Sequence, residues 1–235
     1  MKPPTETGAL GEFLISARSL AEYRVIFELD DTDLRGRRIL DCPGGAASFA
    51  AEAAELGAQV TAADPIYARP AAELRELART ETERGSAYAG AHHDRYHWDF
   101  YGDPDRLHGV RLAAATRFGA DLTAHPDRYV AAQLPALPFP DNNFDLALSS
   151  HLLFTYADRL DADFHLAALL ELSRVTHGET RLYPLIDHTG RAQDDLVAHL
   201  RKKLHDKGIP TVLRPTRYVF QHGATSMLVL HPNQN

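Results

Sequence analysis

The sequence holds a single cysteine, and this scarcity excludes two kinds of stabilising cross-link. Cys42 has no partner for an intrachain disulfide and cannot by itself build a cysteine-based metal site. Long apolar runs are also missing. None approaches the roughly 18 residues of a membrane-spanning helix, and the amino-terminal stretch lacks the apolar core of a signal peptide. We therefore expect a cytoplasmic protein without a membrane partner.

Blocks of basic residues are a third absence. The chain has 25 Lys and Arg against 32 Asp and Glu, which gives a formal net charge of -7 at pH 7. Proteins that bind nucleic acid carry clustered positive charge, because much of their affinity comes from contacts with phosphate groups. The charge balance therefore predicts that nucleic acid is not a partner.

What the sequence does contain is the composition of a globular domain. Hydrophobic residues make up 44% and charged residues 24% of the 235 residues, both ordinary values for globular proteins. This length suits one large α/β domain over residues 1–235. We expect it to be a monomer or a homodimer.

The stretch at 39–67, ILDCPGGAASFAAEAAELGAQVTAADPIY, predicts a strand, a glycine turn, a helix and a second strand. Its first residues are apolar, as a buried parallel strand requires. The turn at 43–45 contains two glycines, which let the backbone bend and let a ligand approach closely. Residues 46–56 are rich in alanine and favour a helix, and residues 58–63 form the second strand. The pattern is that of a βαβ unit.

An acidic residue closes each of these two strands. Asp41 stands near the end of the first, and Asp64 follows the second, 23 positions later. A carboxylate about 20 positions after a glycine turn is typical of nucleotide sites, where it accepts hydrogen bonds from ribose hydroxyls. The intervening helix adds a partial positive charge at its N-terminus. The pattern indicates a nucleotide-type site, and an ordinary βαβ crossover is the alternative.

Helical and strand patterns alternate along the rest of the chain, which predicts a doubly wound α/β fold. The sheet is expected to be Rossmann-like and seven-stranded, mostly parallel, with a C-terminal antiparallel hairpin. We predict that Gly178 ends the helix before the fifth strand and that residues 222–224 turn the hairpin. The further predicted helices are 12–30, 71–84, 107–118, 163–175 and 194–206, and the further strands are 129–132, 144–149, 180–186, 217–221 and 226–230.

Residues 85–128 are long for a connection in an α/β fold, and their first part is rich in aromatic and histidine residues. Long insertions often cover a site, so we expect a lid that gates a substrate pocket. The histidines match no zinc-ligand spacing, so we predict no metal site. The residues concerned are Tyr96, Trp98, Phe100 and Tyr101 for the gate, and His92, His93, Asp94 and His97 for the metal alternative.

With these motifs the chain resembles the class I S-adenosylmethionine-dependent methyltransferases, from about Leu34 to Leu230. ILDCPGG stands where that family has its first glycine motif, and VTAADP stands where it has the acidic strand end. LPFPDNNFDLALSSHLL is similar to the family's segment running into the fourth strand. More narrowly, DCPGG, FHLA and RLYPL resemble a bacterial methyltransferase-like group of unassigned substrate. The family's D-x-G-x-G-x-G pattern is incomplete, because Pro43 and Ala47 occupy two of its glycine positions.

The resemblance implies that S-adenosylmethionine is the cofactor. Asp64 would then accept hydrogen bonds from the ribose, and Gln133 and Leu134 would contact the adenine. Residues 1–33 would form a helical cap over the cofactor. The cofactor-binding residues expected on this basis are Asp41, Pro43, Gly44, Gly45, Ala46, Asp64, Pro65, Gln133, Leu134 and Ser150.

The resemblance also implies methyl transfer to a small-molecule acceptor, with catalytic candidates His151, Tyr23 and Tyr156. His151 follows the fourth strand, close to where the reacting methyl would lie, and a histidine titrates near neutral pH. A structural hydrogen bond is the alternative role for His151, and core packing is the alternative for Tyr23.

Two other functions stay open at this point. The altered glycine motif allows a protein that binds S-adenosylmethionine without catalysis. A nicotinamide-dependent oxidoreductase would also use a glycine turn and an acidic residue, but it would prefer an intact G-x-G-x-x-G, which DCPGGAASF does not supply.

Overall fold

A seven-stranded sheet forms the centre of the molecule in the computed structural model, which describes residues 13–232. The strand order is β3-β2-β1-β4-β5-β7-β6, and the pairs β5–β7 and β6–β7 are antiparallel while the others are parallel. The predicted fold class is thereby confirmed. The strands are β1 Arg38–Asp41, β2 Gln59–Ala63, β3 Tyr129–Val130, β4 Phe144–Ser150, β5 Thr176–Tyr183, β6 Thr211–Pro215 and β7 Ser226–Leu230.

Helices cover both faces of this sheet. Successive strand residues alternate between two apolar clusters, since neighbouring side chains in a strand point to opposite faces. Ile39 belongs to one cluster and Leu40 to the other. The first cluster takes in α1, α3, α4 and α5, and the second takes in α6 and α7. The helices are α1 Leu20–Ile26, α2 Asp31–Leu34, α3 Phe49–Glu55, α4 Ala71–Ala91, α5 Pro104–Ala124, α6 Ala162–Val175 and α7 Asp194–His205.

The βαβ unit predicted at 39–67 is present as β1, α3 and β2. β1 pairs in parallel with both β2 and β4, so the carboxyl ends of these three strands lie at one edge of the sheet. In open α/β sheets ligands bind at that edge. The parallel pairing of these three strands therefore brings their carboxyl ends together at the edge where a ligand site is expected.

The prediction for Gly178 was wrong. This glycine lies inside β5 and not at the end of α6, which runs directly into the strand. A Cβ built on Gly178 would lie 1.9 Å from the carbonyl oxygen of Asp145. The pairing of β4 with β5 is irregular at this point. Gly178 is therefore explained by the close approach of two strands.

The sixth strand was also predicted in the wrong place. It is Thr211–Pro215, and residues 217–221 belong to the connection between β6 and β7. Tyr218 and Phe220 are buried and alternate with more exposed neighbours, as strand residues do, but both rings are buried against aromatic side chains. Tertiary packing, and not sheet pairing, accounts for this alternation.

The chain before β1 is less helical than predicted. Residues 13–18 have no regular structure, and the helix begins at Leu20 after Ser19, which forms a capping box with Glu22. The predicted helix at 12–30 is therefore right only in its middle, over Leu20–Ile26. The part of the predicted cap at 1–12 lies outside the described residues.

The insertion at 85–128 proves to be mostly helical. It comprises the end of α4, a short 3-10 turn at His93–Arg95, and α5.

No helix within residues 13–232 combines the length and apolarity needed to cross a membrane. Over the same range, no three His, Cys, Asp or Glu side chains come together as ligands for a metal ion.

Candidate functional site

Two cavities lie side by side at the carboxyl ends of the parallel strands. The larger has a volume of about 500 Å³ and is walled by the chain following β1, β2 and β4. The smaller has a volume of about 130 Å³ and reaches α4, α5 and the β6–β7 connection. Of the residues between 13 and 232, four line both cavities: Leu14, Ser16, His151 and Tyr156. The two cavities are thus separated by a thin wall.

Most of the predicted site residues come together on the larger cavity. Exceptions are Asp41 and Ala46, which are fully buried and do not line it. The predicted residues that do line it are Tyr23, Pro43, Gly44, Gly45, Asp64, Pro65, Gln133, Leu134, Ser150, His151 and Tyr156.

The backbone of the glycine turn is occupied by bonds within the protein. The N–H of Gly44 donates to the carbonyl of Ala63 at 3.1 Å, and that of Ala46 donates to the carbonyl of Ser16 at 3.2 Å. A Cβ on Gly44 would lie 2.5 Å from the phenol oxygen of Tyr67. The absence of a side chain at Gly44 is therefore explained by packing, and not by the approach of a ligand.

Asp64 lies at the end of β2 and faces the larger cavity. Its Oδ2 accepts from the N–H of Gly45 and its Oδ1 from the N–H of Ile66, both at 3.0 Å. Burial raises the pKa of this carboxyl, although the two backbone bonds act in the opposite direction. An ionised carboxylate offers about four acceptor positions, so two bonds leave room for further donors.

Tyr23 and Asp41 form a buried pair beneath the larger cavity. The Tyr23 hydroxyl lies 2.9 Å from Oδ1 and 3.1 Å from Oδ2 of Asp41, and its ring stacks on Phe49 at 4.3 Å. Burial, with a smaller contribution from Asp64, raises the pKa of Asp41 to about 8, although the Tyr23 hydrogen bond lowers it. Asp41 thus supports Tyr23 from behind, and neither Asp41 nor Ala46 lines the cavity.

His151 stands in the wall between the cavities, directly after β4. Its backbone has φ +54°, in the left-handed region that histidine, asparagine and aspartate enter more often than other side chains. Its Nδ1 lies 2.7 Å from Oγ of Ser150, and its N–H donates to the carbonyl of Tyr183 at 2.8 Å. Burial lowers the pKa of His151 well below its usual value, and the charges of Arg18 and Arg111 lower it further.

Tyr156 ties the chain after β4 to the covering segment, as we call residues 13–18. Its phenol oxygen accepts from the N–H of Leu14 at 2.8 Å, and its ring meets that of Phe13 edge-on at 4.7 Å. The same segment bonds to α4, where Glu81 accepts from the N–H of Ile15 at 3.1 Å. The covering segment therefore spans the site from one side to the other.

The sequence interpretation missed a charged cluster beside the smaller cavity. Glu22 is fully buried and lies 2.8 Å from Arg111 and 3.5 Å from Arg18. Its Oε1 also accepts from the hydroxyl of Tyr101 at 2.5 Å. A signal was present for Arg111, which interrupts the apolar stripe of α5. The buried residues of that stripe include Leu107, Arg111, Ala114, Ala115 and Phe118.

Comparisons with known proteins give matches of low identity. No protein-family model matches the chain. An uncharacterised protein of Methanocaldococcus jannaschii is 25% identical over 222 residues, which are 94% of this chain and 97% of that protein.

Similar solved structures include two methyltransferases. The 1,6-didemethyltoxoflavin-N1-methyltransferase of Burkholderia thailandensis, solved with 1,6-didemethyltoxoflavin and S-adenosylhomocysteine bound, is 15% identical, with a TM-score of 0.49 over 89% of this chain and 76% of that one. The magnesium protoporphyrin IX methyltransferase of Synechocystis PCC 6803, with S-adenosylhomocysteine bound, is 14% identical, with a TM-score of 0.47 over 90% and 82% of the two chains.

Proposed function

We propose that this protein is an S-adenosylmethionine-dependent methyltransferase that acts on a small molecule. The observation that carries the proposal is the pair of adjoining cavities at the carboxyl ends of β1, β2 and β4, which share His151 and Tyr156 as a wall. A group transfer between two small molecules needs a binding site for each, and the two sites must adjoin where the reacting atoms meet. The larger would hold the cofactor and the smaller the acceptor.

The larger cavity suits S-adenosylmethionine in size and in chemistry. About 500 Å³ falls within the range of small-molecule sites. Asp64 would accept hydrogen bonds from the ribose hydroxyls with the acceptor positions that Gly45 and Ile66 leave open. Those bonds would offset the desolvation that raises the pKa of this carboxyl. Gln133 and Leu134, which also line this cavity, would contact the adenine.

The cofactor, when bound, supplies a methyl group on a sulfonium, which an acceptor lone pair takes while the carbon–sulfur bond breaks and leaves a neutral thioether. Such a transfer depends mainly on positioning, which the walls of both cavities provide. His151 would hold the proton that an oxygen or nitrogen acceptor loses. A neutral imidazole that donates Nδ1–H to Ser150 keeps Nε2 as a proton acceptor, and the lowered pKa of His151 keeps it neutral.

Calorimetric titration of the purified protein with S-adenosylmethionine, S-adenosylhomocysteine and NADH tests the cofactor. We expect binding of the first two and none of NADH. Incubation with S-adenosylmethionine and a panel of acceptors, followed by measurement of S-adenosylhomocysteine, tests the reaction. Binding without turnover across a broad panel would favour a cofactor-binding protein without catalysis, and binding of NADH alone would overturn the proposal.

A further inference from the structure

The smaller cavity has the size and walls of a site for one aromatic ring. Its volume of about 130 Å³ is close to that of a cavity of about 150 Å³ that binds benzene. Phe220 and Tyr96 stack on each other at 4.6 Å, and the rings of Tyr183 and Tyr218 lie 6.0 Å apart. Flat apolar walls of this kind favour a planar guest over a flexible one.

Within residues 13–232, the charged side chains at this cavity do not balance one another. Arg18 and Arg111, each 8% exposed, share the single carboxylate of Glu22. Glu81 also lines the cavity, but it lies 2.5 Å from Arg84 and that pair is neutral as a whole. Among the residues that the structure describes, two buried cations against one buried anion leave one positive charge in the wall.

The phenols of Tyr183 and Tyr218 and the imidazole of His151, which also face the cavity, add no negative charge near neutral pH. Burial raises the pKa of the phenols of Tyr183 and Tyr218, so both stay protonated. Burial also lowers the pKa of His151, which is therefore neutral. An uncompensated buried charge is costly, because it has lost water without gaining a partner.

The unbalanced charge is best assigned to Arg18. Arg111 has three close partners: it lies 2.8 Å from Glu22 and donates to the carbonyl of Ala17 at 2.9 Å and to Tyr101 at 3.2 Å. Among the described residues, the guanidinium of Arg18 has two partners, a 3.5 Å contact with Glu22 and a 3.3 Å bond to Tyr218. Its buried Nε has no hydrogen-bond partner among the described residues.

We propose that the acceptor of the methyl group is a single-ring aromatic acid whose carboxylate binds Arg18. This inference rests on the proposed function for its account of the reaction, but the anion site itself is defined by the cavity, the aromatic walls and the charge count. A guanidinium binds a carboxylate through two parallel N–H bonds, which fixes the orientation of the ring. The ring would then lie between the aromatic walls, with its reactive group toward His151.

The test compares benzoate with benzamide, which has the same ring and nearly the same shape but no charge. Binding of each to the wild-type protein is measured by ligand-observed NMR and calorimetry, with S-adenosylhomocysteine present and absent. We expect benzoate to bind at least about 10-fold more tightly than benzamide, on the scale of a hydrogen bond to a charged group. Equal binding of the two, or tighter binding of benzamide, would overturn the inference without reference to any variant.

Variants then locate the charge. Arg18→Gln should weaken benzoate binding by about 10-fold or more and leave benzamide unchanged, and Arg18→Lys should fall between. Arg117→Gln, which removes an exposed arginine of α5 outside the cavity, is the control. If S-adenosylhomocysteine binds but the protein does not bind benzoate more tightly than benzamide, the aromatic-acid inference fails and the proposed methyltransferase function stands. If benzoate binds through Arg18 but S-adenosylhomocysteine does not bind, the anion site stands and the methyltransferase fails.

Discussion

The phenol oxygen of Tyr156 accepts a hydrogen bond from the backbone N–H of Leu14 at 2.8 Å, across 142 positions of the chain. This bond holds the covering segment against the end of the sheet. Leu14 and Ser16 of that segment line both cavities, so the bond also maintains the wall between them. The relation between the two cavities therefore depends on a segment without regular structure.

Tyr156→Phe keeps the ring and removes the acceptor of the Leu14 N–H. We expect the free energy of unfolding to fall by about 1 kcal/mol and the Leu14 amide to exchange faster with solvent. Hydrogen exchange followed by mass spectrometry measures this. Tyr129→Phe, which loses a hydroxyl bond to Asp121 away from the cavities, is the matched control. Unchanged exchange in residues 13–18 would show that the bond does not hold the segment.

Asp64→Ala should weaken S-adenosylmethionine binding by roughly 10- to 150-fold, on the scale of about 1.5–3 kcal/mol for a hydrogen bond to a charged group. It also leaves the N–H groups of Gly45 and Ile66 without an acceptor, so the melting temperature should fall as well. Asp64→Asn keeps one acceptor and should lie between in both measurements. Calorimetry and thermal melting separate the two effects. Wild-type affinity in folded Asp64→Ala would remove the ribose site from this strand end.

His151→Ala should retain cofactor binding and lose turnover by roughly 100- to 10,000-fold, the range for loss of a general base. Alanine is strained at φ +54°, so His151→Asn is the better variant, because asparagine enters the left-handed region readily. We expect both variants to lose turnover and the asparagine variant to keep the wild-type melting temperature. Full turnover in either variant would exclude His151 from the mechanism.

The pH dependence of turnover gives a second measurement of His151. Burial, with Arg18 and Arg111, lowers the pKa of its imidazole well below 6.5. The neutral form, which is the base, should therefore persist as the pH falls from 8 to 6.5. We expect kcat to stay level over this interval, and a decline centred near 6.5 would indicate that the titrating group is not His151.

Asp41→Asn should raise the free energy of unfolding, relative to the wild-type protein, more at high pH than at low pH. The pKa of Asp41 is raised to about 8 in the folded chain, against about 3.9 when unfolded. The folded state thus holds a proton that the unfolded state releases, and the contribution of this proton to stability is lost as pH rises from about 4 through about 8. Urea unfolding at pH 5 and at pH 8.5 should show the difference between variant and wild type growing by on the order of a few kcal/mol. A constant difference would contradict the raised pKa.

The sequence by itself was enough to predict the fold and most of the named residues that line the larger cavity. Strand residues alternate between two apolar clusters, and glycine and an acidic residue stand at the strand ends, so local pattern predicted the β1–α3–β2 unit and placed Asp64. These signals are local because each depends on neighbours in one element or on one turn. Pattern failed at Gly178 and at residues 217–221, where contact with distant strands or rings determines the backbone.

Only the tertiary structure revealed the smaller cavity and the charged cluster beside it. Arg18 and Glu22 are neighbours four positions apart, but Arg111 and Tyr218 come from two distant stretches of the chain, and no spacing in the sequence relates the three stretches. Whether a buried cation is balanced depends on the side chains that pack against it and not on its neighbours in the sequence. The charge of the cavity could therefore be counted only from the tertiary structure. The same holds for His151, whose pKa is set by burial and by two arginines that lie 133 and 40 positions before it in the chain.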